Sequence, residues 1–432
     1  MTAEAGLLQV ILQLAVIIGA AKLGGTLFRR IGQPPVCGEI AAGLLLGPSL
    51  FGHFLPSIFH RLFDPSSAPF LTTFSQLGLI LTMFLIGIEF DFGHLRHQGR
   101  AALAVSIAGF AAPFFLGLGL GRLMYGQLGL TGNPLHFSLF IAAALSITAM
   151  PVLGRIMIEL NITRTRVGAL TIAAAALDDA IGWICLGSIT ALVRSSFDAA
   201  KLALMIAATA AYLGFMVFLA RPAVKKWGPR FLSAGSGDLT AGSLAAILIL
   251  ILISAALTSL IGILAILGGF MAGAILYDQR ELCDGLRRRL GDFVTALFLP
   301  VFFAYTGLRT DSGSMTGARL WLFCGLMCLV AAAGKVGGCS LAARLSGLPA
   351  REAAIAGVLM NARGLTELIA ANAGYDLGIV PKSVFFMLVT MALVTTFLAT
   401  PLLRRLFREA PVGCGPGSRS GVILKNPGNE VL

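Results

Sequence analysis

Long apolar stretches separated by short breaks dominate this sequence. Cutting the chain at its Gly- and Pro-rich or charged breaks leaves thirteen apolar runs. About 20 apolar residues in helical form cross a bilayer core, so each run predicts one membrane-spanning helix. The runs are centred near residues 17, 43, 80, 112, 148, 180, 210, 249, 268, 300, 331, 362 and 393.

The composition agrees with this pattern. Of the 432 residues, 57% are hydrophobic and 12% are charged, and the mean hydropathy is +0.89. Soluble domains carry about 25% charged residues, so a soluble globular chain, a disordered chain, a coiled coil and a disulfide scaffold are excluded. The predicted fold class is an all-α polytopic membrane protein with about thirteen transmembrane helices.

Basic residues are distributed unevenly between the two sets of loops. With the N-terminus outside, the inward loops hold twenty of them and the outward loops hold seven. The net charge of +12 then acts mainly as a cytoplasmic retention signal, and no nucleic-acid partner is expected. The pattern predicts a multi-pass protein of the cell inner (plasma) membrane, with an external N-terminus and a cytoplasmic C-terminus.

Two pairs of segments resemble each other in the same order along the chain. Residues 77–91 and 297–311 align without gaps and both end in Gly-(Ile/Leu)-x-x-Asp, and AAGLLL at 41–46 is similar to MAGAIL at 271–276. The longer pair lies in predicted spans 3 and 10, and an odd offset turns the second copy upside down in the bilayer. Such inverted repeats are typical of secondary transporters.

A few ionisable residues remain deep inside the predicted spans. Each costs about 2.5 to 3.5 kcal/mol at the bilayer centre, so their presence indicates a function. Lys22 is the exception, because it lies near the end of span 1 and its stem can reach the interface. The full set is Lys22, Asp178, Asp179, Lys335, Arg363 and Glu367.

Asp178 and Asp179 lie about twelve residues into span 6, which is roughly 18 Å at 1.5 Å per residue and close to the membrane centre. Neighbouring helical residues point about 100° apart, so the two carboxylates cannot share one partner. One can face a cavity while the other faces a neighbouring helix. Lys335, in the Gly- and Ala-rich middle of span 11, needs an acid and is expected to pair with one of them.

Spans 5 and 12 are both interrupted near mid-depth. In span 5, Pro151 frees backbone carbonyls near Thr148, and carbonyls and hydroxyls are cation ligands. Broken helices in matching places of two inverted halves indicate a midplane ion site. Arg363 and Glu367 also fit another interpretation, an i,i+4 ion pair that braces the break. The candidate ligands and supporting residues of the two breaks are Ser146, Thr148, Pro151, Asn361, Arg363 and Glu367.

Residues for enzymatic chemistry are not visible in the sequence. There is no phosphate loop, nucleophile triad or resident-metal cluster, the five histidines have no ligand spacing, and the seven cysteines fit packing roles. The chain is therefore not expected to be an enzyme or to hold a cofactor.

Seven motifs together resemble the monovalent cation:proton antiporter-2 family over roughly residues 8–405. They are GIEFD, SITAMPVLGRI, ALDDAIGW, ILGGFMAGAIL, LPVFFAYTGLRTD, AAGKVGG and MNARGLTELIAANAGYDLGIV. The resemblance implies thirteen helices in two inverted repeats with crossed broken helices. It also implies that Asp179 binds the cation or proton, that Asp178 pairs with Lys335, and that Thr148 lies at the crossing.

The resemblance further implies a homodimer in which a core moves against a dimerising scaffold. The division is scaffold spans 1–3 in residues 1–95, core spans 4–6 in 96–197, linker span 7 in 198–239, scaffold spans 8–10 in 240–310, core spans 11–13 in 311–408, and a short cytoplasmic tail in 409–432. The 24 residues of that tail are too few for a nucleotide-binding regulatory domain, so none is expected.

The function predicted from these observations is secondary active antiport of Na⁺ or K⁺ against H⁺ by alternating access, with electrogenic transport. Two alternatives remain open. A sodium-coupled carrier of organic anions would keep the fold but need a wide polar cavity, with Arg363 as its basic group. A potassium efflux pore would need repeated filter loops, which the sequence does not contain.

Overall fold

A computed structural model describes residues 3–64, 68–89, 94–130, 132–160, 162, 165–194, 199–227 and 239–408, and nearly all of them are helical. Two π-helical segments, Met216–Ala220 and Val294–Phe298, and a 3₁₀ turn, Ser312–Ser314, lie between the α-helices. The α-helices are α1 (Ala3–Arg30), α2 (Pro35–Leu46), α3 (Phe51–Phe54), α4 (Pro56–Leu62), α5 (Ala68–Glu89), α6 (His94–Leu128), α7 (Pro134–Ser146), α8 (Met150–Glu159), α9 (Arg166–Arg194), α10 (Ala199–Phe215), α11 (Arg221–Trp227), α12 (Ala241–Ile261), α13 (Ala265–Ala274), α14 (Arg280–Phe293), α15 (Leu299–Arg309), α16 (Ala318–Leu345), α17 (Ala350–Met360), α18 (Leu365–Asp376) and α19 (Lys382–Arg408).

The helices have the length and composition that a membrane requires. Within the described residues, ten are long and apolar enough to cross a bilayer, or eleven when the bent pair α17 and α18 counts as one span. The prediction of an all-helical polytopic membrane protein is confirmed. The exact count of thirteen stays a prediction, because α7 and α13 are apolar but shorter than a full span.

The outer surface of the helix bundle is apolar. Leu260 on α12 is 83% exposed, Leu345 on α16 is 80% exposed and Phe218 is 76% exposed. Large side chains exposed in this way would be unfavourable in water but match the hydrocarbon of a bilayer. The buried charged residues Asp178, Lys335, Arg363 and Glu367 are instead at most 1% exposed and lie on α9, on α16 and around the start of α18.

Glycines bring α1, α2 and α15 into backbone contact. A Cβ at Gly24 or Gly38 would overlap the backbone of the other. A Cβ at Gly307 would overlap the backbone of Gly43, and a Cβ at Gly43 would overlap the backbone of Phe303. Small residues allow this close packing where the bilayer supplies no hydrophobic driving force between helices. These three helices therefore form one tightly packed unit within the predicted scaffold.

Two helices are broken where the sequence predicted interruptions. The first break, Ile147–Ala149, separates α7 from α8, and the second separates α17 from α18, which are bent by 42°. The two breaks touch, because the Ala149 amide donates to the carbonyl of Ala362 at 3.1 Å. Helix α9 packs against α6, α7, α8 and α17, and so lies beside the crossing.

Candidate ion-binding site

The two adjacent aspartates of α9 have different surroundings. Asp178 is 0% exposed and its Oδ2 lies 2.8 Å from Nζ of Lys335. Asp179 is 2% exposed, and its Oδ1 has no hydrogen-bond partner among the described residues. Oδ1 of Asp178 also has no hydrogen-bond partner among the described residues, so the two acids differ in the ion pair, which within that part of the chain belongs to Asp178.

Lys335 connects the acid to a broken helix. It lies on α16 and is 0% exposed, and its ammonium donates both to Asp178 and to the carbonyl of Ser146, the last residue of α7. The adjacent Gly334 lets α16 approach α6, since a Cβ there would lie 2.8 Å from Cα of Pro113. The ammonium occupies a position between a carboxylate and a backbone carbonyl, two groups that also bind metal cations.

The end of α7 receives three donations from cationic side chains. Lys335 donates to the Ser146 carbonyl, and the guanidinium of Arg363 donates to the Leu145 carbonyl and, at 3.1 Å, to the Ala144 carbonyl. The last carbonyls of a helix have no intrahelical partner and carry partial negative charge. Arg363 and Lys335 satisfy these carbonyls in the interior of the fold.

Side chains also hold the two breaks together. Thr148 Oγ1 donates to the Met360 carbonyl at 3.2 Å, which joins the first break to the end of α17. Thr396 of α19 donates to the Arg363 carbonyl at 2.5 Å and accepts from the Arg363 amide at 3.0 Å. Hydrogen bonds thus join the first break to the end of α17 and the second break to α19.

Arg363 and Glu367 form the i,i+4 pair that the alternative interpretation expected. Nη1 of Arg363 lies 3.5 Å from Oε2 of Glu367, and both side chains are at most 1% exposed. At that separation the contact is electrostatic and not a close hydrogen bond. Glu367 therefore neutralises the guanidinium, whose hydrogen bonds go to α7. Asn361 is 6% exposed at the same break, and its Oδ1 has no hydrogen-bond partner in the described chain.

The remaining predicted residues lie as follows. The Ser146 hydroxyl donates to the Ala142 carbonyl at 2.7 Å, so the residue reaches Lys335 through its carbonyl and not its hydroxyl. Pro151 is in α8, but its side chain is not among the described parts of the structure. Asp91 of the repeat motif and the tail 409–432 lie outside the described residues altogether. Lys22 is exposed on α1, in agreement with its interfacial interpretation.

Three buried or partly buried polar residues could not be identified from the sequence, one at the crossing and two outside it. Thr396 carries no signal, because a threonine in an apolar run is common and its partner lies 33 positions away. Glu39 in α2 is 6% exposed, although it does not belong to the predicted set of deep ionisable residues. Arg309 was assigned to an outward loop, although its side chain is only 19% exposed.

Paired buried acids beside two crossed broken helices, in an all-helical membrane fold, define a secondary transporter. The chain belongs to the sodium/hydrogen exchanger family, whose transmembrane model matches residues 16–409. The resemblance to the cation:proton antiporters inferred from the seven motifs is confirmed.

Relatives and a solved structure agree with this assignment. The chain is 40% identical to the Na⁺/H⁺ antiporter NhaS4 of Synechocystis sp., over 93% of this chain and 98% of the relative. It is 35% identical to cation/H⁺ antiporter 20 of Arabidopsis thaliana and 31% identical to K⁺/H⁺ antiporter 1 of Saccharomyces cerevisiae. Those matches cover 93% and 89% of this chain, but only 48% and 44% of the plant and yeast proteins, so the chain spans about half their length.

The fold is similar to that of the sodium proton antiporter MjNhaP1 from Methanocaldococcus jannaschii. The TM-score is 0.64 at 16% sequence identity, and the match covers 93% of this chain and 97% of the other.

Proposed function

We propose that this protein exchanges a monovalent cation, Na⁺ or K⁺, for protons by alternating access, with Asp179 as the shared binding group. The observation that carries the proposal is the buried Asp179 carboxylate, whose Oδ1 lacks a donor, next to a neighbour already paired with Lys335. Relatives named as Na⁺/H⁺ and K⁺/H⁺ antiporters support the choice of ions.

The charges around the crossing support one ion per site. The buried cluster holds three carboxylates, Asp178, Asp179 and Glu367, against two cations, Lys335 and Arg363. Three negative charges less two positive charges leave one negative charge when all five groups are ionised. A buried net charge is unfavourable, so while Lys335 keeps its proton the cluster is balanced by a single proton or a single monovalent cation.

In this proposal the two ion fluxes are coupled because the proton and the metal cation exclude each other at Asp179. A carboxylate that has bound a proton is neutral and attracts a metal cation poorly, and a carboxylate that ligates a cation cannot also hold the proton. Each binding event at Asp179 therefore displaces the other ion. Thr148 and the backbone groups of the two breaks are the proposed additional oxygen ligands of the cation.

Lys335 supplies the electrogenic step in this proposal. A cation bound at Asp179 repels the neighbouring ammonium of Lys335 and breaks its contacts with Asp178 and the Ser146 carbonyl. Once displaced, the lysine is buried without an acid and releases its proton. Two protons then move against one cation, and the membrane potential contributes about 2.3 kcal/mol per net charge per 100 mV.

Access to Asp179 requires helix movement, since the carboxylate is 2% exposed in this arrangement. The proposed moving unit is the core of residues 96–197 and 311–408, which contains both broken helices. The proposed support is the scaffold of residues 1–95 and 240–310, with its glycine contact between α2 and α15, and residues 198–239 link the two. The scaffold is also the proposed homodimer interface.

The proposed location is the plasma membrane, with the N-terminus outside and the C-terminus in the cytoplasm. The uneven distribution of basic residues, twenty against seven, supports this orientation. The organic-anion alternative loses the basic group it depended on, because Arg363 already donates to two carbonyls and pairs with Glu367.

Proteoliposomes containing a pH-sensitive dye and the purified protein test the proposal directly. Na⁺, K⁺ and Li⁺ are offered in turn after an inward-acid gradient is set, with empty liposomes as the control. Dequenching by Na⁺ or K⁺ is expected. A gradient that no monovalent cation dissipates would contradict antiport, and unitary currents above carrier turnover would identify a pore.

A further inference from the structure

Arg309 at the end of α15 contacts α18 through several groups. Its Nη2 lies 2.6 Å from Oδ1 of Asp376, and its Nη1 donates to Oδ1 of Asn372 at 3.2 Å. The guanidinium carbon lies 4.3 Å from the ring centroid of Tyr305 and 5.1 Å from that of Tyr375. We name Arg309, Tyr305, Asn372, Tyr375 and Asp376 the Arg309 cluster.

One side of the Arg309 cluster is fixed to the predicted scaffold. The Tyr305 hydroxyl accepts a hydrogen bond from Thr72 of α5 at 2.9 Å. Directly after Arg309, Ser49 donates to the Thr310 carbonyl at 2.9 Å and accepts from the Ser312 amide at 2.7 Å. With the Gly43 and Gly307 contact between α2 and α15, these bonds make the Arg309 backbone rigid with the scaffold.

The other side of the cluster belongs to the predicted core. Asn372, Tyr375 and Asp376 lie on α18, the half-helix that follows the break carrying Arg363. Asn372 also donates to Thr306 of α15 at 2.9 Å and to the Leu368 carbonyl of its own helix at 2.9 Å. The cluster thus joins the scaffold to the half-helix that forms one wall of the ion site.

The opposite face of the described chain joins α1 to α19 by other contacts. There, Nη2 of Arg404 on α19 donates to the Gly32 carbonyl after α1 at 3.0 Å, in an exposed position, and the ring centroids of Phe28 and Phe397 lie 6.4 Å apart, edge to face. These two contacts include no ion pair, whereas the Arg309 cluster has an ion pair, an amide and two aromatic rings. The Arg309 cluster lies on the face where α2, α15 and α18 all end, which is the face predicted to be external.

We propose that the Arg309 cluster is a latch that keeps the external side of the transport path closed, and that it must open before the site faces outward. This inference rests on the proposed alternating-access function. The side chains of Arg309 and Asp376 are 19% and 37% exposed, so both charges can regain water when the pair separates. Tyr305 is four residues from Arg309 on the same helix and keeps the guanidinium in place for reclosure.

Cross-linking tests the latch directly. The R309C/D376C double variant is reconstituted in proteoliposomes, treated with bifunctional thiosulfonate reagents of graded length, assayed for exchange, and assayed again after reduction. The cross-linked protein is expected to fall below about a tenth of its initial rate and to recover when the link is reduced. Wild type, R309C and D376C receive the same treatment, which controls for the native cysteines.

Each result of the cross-linking has a definite meaning. A double variant that is shown by peptide mass analysis to be linked, and that exchanges ions at its unlinked rate, would overturn the latch while leaving the proposed function intact. Absence of exchange in untreated wild type would overturn both proposals together.

The sidedness of a charge variant separates a latch from a merely structural contact. Loss of the pair in D376N favours the outward-open state, so the apparent KM for the cation is expected to fall about threefold on the external side and to rise by a similar factor on the internal side. Right-side-out and everted vesicles measure the two values, and the charge swap R309D/D376R is expected to return both towards wild type. Equal changes on both sides would overturn the proposal.

Discussion

The ammonium of Lys335 lies 2.8 Å from Oδ2 of Asp178, and both side chains are 0% exposed. This buried ion pair leaves the adjacent Asp179 without a close cationic partner in the described chain. Two neighbouring residues of one helix thus carry the same chemical group in different surroundings, Asp178 inside an ion pair and Asp179 outside it.

Asp179→Asn is expected to abolish exchange. The amide keeps the size of the side chain but can neither bind a proton reversibly nor attract a cation by its charge, so cation-dependent proton flux in everted vesicles should drop to the leak of protein-free membranes. Asp292→Asn, an exposed position on α14, is the matched control and is expected to retain full flux. Retained flux in Asp179→Asn would falsify the assignment of the binding group.

Lys335→Ala is expected to change both stability and voltage dependence. Removal of one partner leaves Asp178 buried without compensation, which costs about 3 to 5 kcal/mol and should lower the thermal unfolding temperature of the detergent-purified protein. Any exchange that remains should respond less to an imposed membrane potential. Lys382→Ala, at an exposed position, is the control. Unchanged voltage dependence in Lys335→Ala would remove this lysine from the path of the second proton.

Thr396→Val tests the bond that fixes the second break. Valine has nearly the same shape but cannot satisfy the Arg363 amide and carbonyl, so a loss of about 1 to 3 kcal/mol in stability is expected. Thr400→Val is a close control, because Thr400 lies one turn further on the same helix, is also buried at 3%, and its hydroxyl has no hydrogen-bond partner in the described chain. Equal thermal shifts for the two variants would count against a special role of Thr396.

Gly307→Ala is expected to loosen the scaffold. A Cβ at Gly307 would overlap the backbone of Gly43. Because α2 and α15 cannot separate without losing other contacts, the free energy of unfolding is expected to fall by about 1 to 3 kcal/mol. Gly325→Ala on α16 is the control, since a Cβ there has no neighbour within 4 Å and alanine favours the helix by up to about 1 kcal/mol. Thermal unfolding that ranks Gly325→Ala at or below Gly307→Ala would refute the close contact.

The sequence predicted the helical membrane fold and the position of both breaks because each has a local cause. Apolar runs of bilayer length make spans, and polar or proline-containing interruptions mark the points where helical bonding fails. Burial of Asp178, Asp179 and Lys335 could be expected for the same reason, since charges so far from the ends of their runs have no route to the interface. The role of Asp179 in binding, and the inverted repeat, stay predictions.

Contacts between segments that are far apart in the sequence could not be predicted from local sequence patterns. The Arg309 cluster has no local signal, because the residues that bind the guanidinium include Asn372, which lies 63 positions away. Counting positive charges placed Arg309 in a loop, but its aromatic and acidic neighbours bury most of it. The number of spans was also uncertain for a physical reason, since α13 is only 10 residues long and depends on its neighbours for support.

The low exposure of Asp179 has a consequence for the cell that makes this protein. Asp179 is 2% exposed, so under the proposed alternating access a protein at rest would not let ions leak down the stored gradients. Each rearrangement of the helices would then carry a fixed number of ions across the membrane. The pace of the whole cycle is then limited by collective motions on the microsecond to millisecond scale, and not by diffusion along an open path.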